Sequence, residues 1–116
     1  MSRDTVNDYC QSLPGAEWAD ESTGEHPSWK VGGKMFALIA HKGEGVSVKT
    51  PDIETASLLI EMGRAIKAPY FHRSWIRIPW GMVPDDELQE RLAISYQLIF
   101  DKLPKSVQKT LREGND

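Results

Sequence analysis

The apolar positions of this chain change period several times, and each change marks an element. Val6, Tyr9, Cys10 and Leu13 recur at the i, i+3, i+4, i+7 spacing, which predicts a helix over residues 2–13 with one apolar face. Pro14-Gly15 stops it. Residues 16–22 read as a weak strand and residues 27–31 as a second. Gly32-Gly33 then supplies the positive φ angles of a two-residue hairpin turn, and Lys34 to Ala40 returns as a strand. Its unbroken apolar run from Met35 to Ala40 predicts a central strand covered, at least in part, on both faces. His41 to Gly45 is a loop, and Val46 to Lys49 is the next strand.

Thr50-Pro51-Asp52 announces a second helix, with a capping hydroxyl, a proline in the first turn and an acid at the positive end of the dipole. Ile53, Ala56, Leu59 and Ile60 form its expected buried stripe, and Gly63 its end. Ala65 to Arg73 is irregular or briefly extended, broken by Pro69. From Trp75 to Ile78 the chain alternates, with Ile76 and Ile78 on one face and Trp75 and Arg77 on the other. Pro79-Trp80-Gly81 ends that strand, and Pro84-Asp85-Asp86-Glu87 opens the last and longest helix. Leu88, Leu92, Tyr96, Ile99 and Leu103 are its apolar face, and Pro104 closes it.

Residues 1–104 thus read as a single domain, and residues 105–116 as a polar tail with room for one more helical turn. The order α-β-β-β-β-α-β-α places the chain in the α+β class. It predicts a two-layer α/β sandwich: an antiparallel sheet with the helices on one face. The other sheet face stays partly open, where a binding surface can lie. Neither amphipathic helix can bury its stripe alone. Val6, Tyr9, Leu13 and Leu92, Tyr96, Ile99 are therefore expected to meet over a sheet face containing Phe36 or Leu38.

Composition narrows the class. Hydrophobic residues at 40% and charged residues at 27% exclude an intrinsically disordered chain. The run Met35 to Ala40 is too short to span a membrane, and Met1-Ser2-Arg3-Asp4 lacks the layout of a secretion signal. Cys10 is the only cysteine, so no internal disulfide forms. A cytoplasmic location and no membrane partner are expected. The net charge of −3 argues against strong non-specific nucleic-acid binding. Distribution modifies that argument. Glu17, Asp20, Glu21 and Glu25 occur with no base between them, whereas Arg64, Lys67, Arg73 and Arg77 occur with no acid between Met62 and Val83. An acidic region and a basic region are expected.

The basic stretch, which includes His72, is interleaved with Tyr70, Phe71, Trp75 and Trp80. Bases neutralise phosphates, and aromatics stack on nucleobases or pack on sugars. A tryptophan lying under an arginine on a solvated sheet face gives the same pattern. Both readings stand at this level. If the surface binds nucleic acid, Lys67, Arg73, Trp75 and Arg77 are the candidate contacts, helped by Lys30, Lys34 and Lys49 from neighbouring strands. The expected partner is double-stranded DNA, bound weakly and salt-sensitively. An unidentified protein partner using the same face is the alternative.

Other chemistry has less support. Glu17, Asp20, Glu21 and Glu25 with His26 match no defined metal loop, so no tight metal site is expected. Gly32-Gly33 between Lys30 and Lys34 lacks the spacing of a phosphate loop and lies between strands. Cys10 falls on a core stripe, His26, His41 and His72 are scattered, and Ser95-Tyr96 lies on a helix without a nucleophile turn. No catalytic residue and no cofactor are expected, and the chain does not read as an enzyme.

The segment His26-Pro27-Ser28-Trp29-Lys30-Val31-Gly32-Gly33-Lys34-Met35-Phe36-Ala37 closely resembles the signature of the MmcQ/YjbR family. Leu13-Pro14-Gly15-Ala16-Glu17, Val46-Ser47-Val48-Lys49, Arg73-Ser74-Trp75-Ile76, Pro84-Asp85-Asp86-Glu87-Leu88, Ser95-Tyr96 and Lys102-Leu103-Pro104-Lys105 resemble further family segments in order. The resemblance covers nearly the whole chain. It implies a frataxin-like (CyaY-like) fold with a "double wing" DNA-binding arrangement, in a bacterial cytoplasmic protein. Frataxin itself binds iron on an acidic ridge, but a shared fold does not carry a function across. One departure is local: relatives often carry two adjacent bases before the strand tryptophan, and here they are Arg73-Ser74.

Overall fold

Gly32 and Gly33, at φ angles of 58° and 81°, close a hairpin between β2 (Ser28–Val31) and β3 (Lys34–Ile39). The computed structural model containing it describes residues 3–20, 22, 24, 26–39, 44–69 and 71–113. Before the hairpin come α1 (Arg3–Gln11) and β1 (Ala16–Ala19). After it come β4 (Gly45–Lys49), α2 (Ile53–Glu61), β5 (Ile66–Lys67), β6 (Trp75–Pro79), α3 (Asp85–Asp101) and α4 (Lys105–Glu113). Ala40 and the loop residues 41–43 lie outside the described residues.

The strands form one sheet in the order β1-β2-β3-β4-β6-β5, with every neighbouring pair antiparallel. Because β4 and β5 are both antiparallel to β6, they run parallel to each other, and α2 is the crossover between them. The fold class is α+β, as the alternation predicts. The stretch expected to be irregular or briefly extended forms the two-residue edge strand β5, and α4 exceeds the one helical turn expected beyond Pro104.

Register separates two faces. One row runs Trp18, Trp29, Ala37, Val48, Ile76 and Lys67 from β1 to β5. Its interior members are buried with Val6 and Cys10 of α1, Ala56 of α2 and Leu88, Leu92, Tyr96 and Phe100 of α3. The helical stripes therefore meet over this face, and the Phe36 ring meets Tyr96 edge-on at 5.3 Å. Leu38 takes the opposite face. Phe36 reaches the core because the β2–β3 register slips between Trp29 and Lys30, which leaves Phe36 as the extra residue of a bulge. The adjacent row, Ala19, Ser28, Leu38, Ser47, Arg77 and Ile66, lies on the face away from the core.

Several local expectations need correction. Asp52, not Thr50, caps α2, its carboxylate accepting the Thr55 N–H at 2.7 Å. The Thr50 hydroxyl instead reaches the Ser74 carbonyl at 2.6 Å and ties the start of α2 to β6. Ile60 is 37% exposed and leaves the expected stripe, while Ala56 is buried and Leu59 packs against the core. Residues 105–113 are not a polar tail. They form α4, whose Val107 and Leu111 pack against the core and whose Gln108 is buried. No helix among the described residues is long and apolar enough to cross a membrane.

Candidate nucleic-acid interface

The face opposite the helices carries the polar alternates of the central strands. Lys49 lies opposite Trp75, Ser47 opposite Arg77, and Lys30 opposite Met35. These pairings put Lys30, Lys49, Trp75 and Arg77 on one side of the sheet. The Trp75 ring stacks on Phe71 at 4.6 Å and 20° between planes, and both are half-buried. Arg73 is exposed in the turn that enters β6. Beneath this layer Ser47 is fully buried, and neither its Oγ nor Arg77 Nε has a hydrogen-bond partner among the described residues. Unmet donors and acceptors of this kind cost free energy in the folded protein.

Not every candidate joins this face. Lys67 pairs with Ile76 and Lys34 with Val31, so register directs both toward the helix side. Lys34 is exposed at the hairpin end, and Lys67 is exposed at the sheet edge. Tyr70 lies outside the described residues.

Topology also sorts the charges. β2 ends, β3 starts, β4 ends and β6 starts at one end of the sheet. That end collects Lys30, Lys34, Lys49 and Arg73. Leu103 closes against Gly32 there, which brings Lys102 to the same end. Lys102 is the residue that sequence reasoning missed. It follows α3 by one position, and no periodicity relates it to a strand residue half a chain away. Burial, then the nearby Lys102 ammonium, lower the Lys49 pKa below the usual lysine value. Glu17, opposite Lys30, is the acid of this region of the sheet, with Asp52 and Asp101 on the flanking helices.

The far end is acidic. Glu44, whose carbonyl accepts the Trp80 N–H, sits there with Asp85, Asp86 and Glu87 at the start of α3. Arg64 neutralises part of it through a two-pronged pair with Glu87, which lowers the Glu87 pKa. Asp20 is tied down by Ser22, at 2.6 Å, and by the Trp18 indole at 2.8 Å, and both bonds hold its carboxyl below the usual range. Glu21 and Glu25 of the metal candidates lie outside the described residues, as does His41. Among the described residues no three His, Cys, Asp or Glu side chains gather as a metal site. Burial pushes the Cys10 thiol up to about 12, so it is no thiolate at neutral pH.

Comparison with known proteins adds to this geometry. A family model described as YjbR matches residues 11–98. The crystal structure of a Deinococcus radiodurans protein with a DUF419 domain superposes with a TM-score of 0.80 at 25% identity, covering 96% of this chain and 88% of the other. DUF419 is the same family under another name. No curated protein matches the sequence.

Proposed function

The chain belongs to the YjbR family, and from that footing we propose that it is a non-enzymatic module that binds double-stranded DNA weakly through its open sheet face. The observation that carries this reading is the register: Lys30, Lys49, Trp75 and Arg77 share the sheet face opposite the described helices, with Arg73 beside them. Such a surface offers cations to phosphates and an aromatic pair to sugars or unpaired bases. The net charge of −3 keeps affinity low, and a dissociation constant of ~10 μM or weaker is expected at physiological salt. Titration with a duplex at several salt concentrations is the test. A linear fall of log affinity with log salt supports the reading, and no binding even at low salt removes it.

A protein-interaction module is the second reading. It is favoured by exposed Leu58, Met62 and Ile66 on α2 and β5, at 54%, 60% and 41%. Failure of the DNA titration moves it into first place.

A further inference from the structure

Two basic side chains distant in sequence converge on one buried hydroxyl. Ser74 is 3% exposed, and its Oγ lies 3.0 Å from Lys49 Nζ and 2.8 Å from His72 Nδ1. The Ser74 backbone N–H donates to the same Nδ1 at 3.1 Å. Nδ1 is therefore an acceptor, and the imidazole carries its hydrogen on Nε2. The direction of the chain follows: Lys49 donates to Ser74 Oγ, which donates to His72. Two ammonium hydrogens of Lys49 and the Nε2–H of His72 remain to be used.

Charge points the same way. Lys102 is near enough to act on Lys49, and Arg73 is the next residue after His72. None of Lys49, Arg73 and Lys102 forms an ion pair among the described residues. Neighbouring cations that form no ion pair repel one another even with Asp52 and Asp101 on the flanking helices, and a bound anion relieves the repulsion. A phosphate dianion suits the place better than a backbone diester. It carries twice the charge and offers three free oxygens to the remaining donors.

We propose that Lys49, His72, Arg73 and Lys102 form a subsite for a phosphate dianion, either the phosphorylated end of a nucleic-acid chain or free phosphate, with Ser74 as the positioning residue. The chain-end source rests on the DNA reading above, but the subsite itself does not.

Amide NMR of the full chain, titrated with inorganic phosphate against chloride at equal ionic strength, tests it. Phosphate should move the amides of residues 49, 72–74 and 102 saturably, and chloride should not. Exposed Lys102→Met should weaken phosphate binding about tenfold, the loss of one charge-assisted contact. Ser74→Ala should weaken it similarly while Lys49, Arg73 and Lys102 all remain, and Ser74→Thr should restore it. No saturable response in the parent protein overturns the proposal. So does a response spread over all lysines and unaffected by Lys102→Met. Short duplexes with 5′-phosphate or 5′-hydroxyl ends then identify the source. Tighter binding of the phosphorylated duplex supports the chain end, and equal binding, or none by either duplex, supports free phosphate. Failure of the DNA reading shows separately, as no binding of the 5′-hydroxyl duplex while inorganic phosphate still acts.

Discussion

Ser95 lies on the buried face of α3, yet it is fully buried and polar. Its hydroxyl accepts the Lys49 N–H at 2.9 Å and donates to the Phe36 carbonyl at 2.6 Å. The β3–β4 register ends at the Ala37–Val48 pair, so Ser95 serves the two backbone groups one step beyond it. Ser95→Ala strands both groups, and a loss of about 1–3 kcal/mol is expected from the desolvated pair. Urea unfolding should show a lower midpoint with an unchanged slope, and an unmoved midpoint would contradict this role. Cys10 makes a second residue-level case. With its thiol near 12, alkylation at pH 8 should be negligible in the folded protein and fast once urea unfolds it. The sequence places both residues on helical stripes, but only Cys10 reads as what it is. A serine among Leu92, Tyr96 and Ile99 signals a buried polar partner without saying which strand supplies it.

At the scale of elements, periodicity located the helices and strands that bury wide stripes and failed where contact is narrow. α4 has two core-packing apolar residues, Val107 and Leu111, and the rest of its docking is polar. Gln108 donates to the carbonyls of Leu103 and Asp101, at 2.8 and 3.3 Å, and so caps the end of α3. Arg112 sits 5.2 Å over the Phe100 ring. Val107 and Leu111 stand one helical turn apart, but two apolar positions among charged ones read as no more than one helical turn in a polar tail. Truncation after Pro104 should therefore cost about 2–3 kcal/mol, from two half-buried aliphatics and a lost cap, read as a lower urea midpoint. A free tail would leave the midpoint unchanged. The joint between α2 and α3 is electrostatic. Hydrogen bonding from Arg64 lowers the Glu87 pKa in the folded state. A lowered carboxyl pKa stabilises the fold above its unfolded value, and the stabilisation is lost as pH falls through the folded value. Glu87→Gln should thus melt below the parent protein at pH 7, and the gap should close on acidification below about pH 4, the ordinary carboxylate range. A gap independent of pH would show that the pair does not act through charge.

For the whole molecule, a net charge of −3 hides a division that matters more than the sum. Alternating strand directions bring Lys30, Lys34, Lys49 and Arg73 to one end of the sheet, while Glu44 and the acidic first turn of α3 lie at the other. Sequence reasoning foresaw two regions but put the acids at Glu17, Asp20, Glu21 and Glu25; Glu17 instead lies opposite Lys30, and Glu21 and Glu25 fall outside the described residues. It could not foresee Lys102 or the contact of His72 with Lys49 through Ser74, since those depend on where strands end. Register separates the basic residues on or beside the open face from those turned toward the helices. Arg73→Ala and Arg77→Ala each remove a cation on or beside the open face, and each should lower the salt slope of duplex binding by about one unit, alike for all sequences. Trp75→Ala should reduce affinity with little change in slope, because stacking releases no counterions. Lys67→Ala is the control. It lies opposite buried Ile76 on the helix side, so it should leave the slope unchanged although its charge is as large. If Lys67→Ala lowers the slope as much as Arg77→Ala, binding follows overall charge and not the open face. Anisotropy titrations of the four variants at matched salt decide between these outcomes.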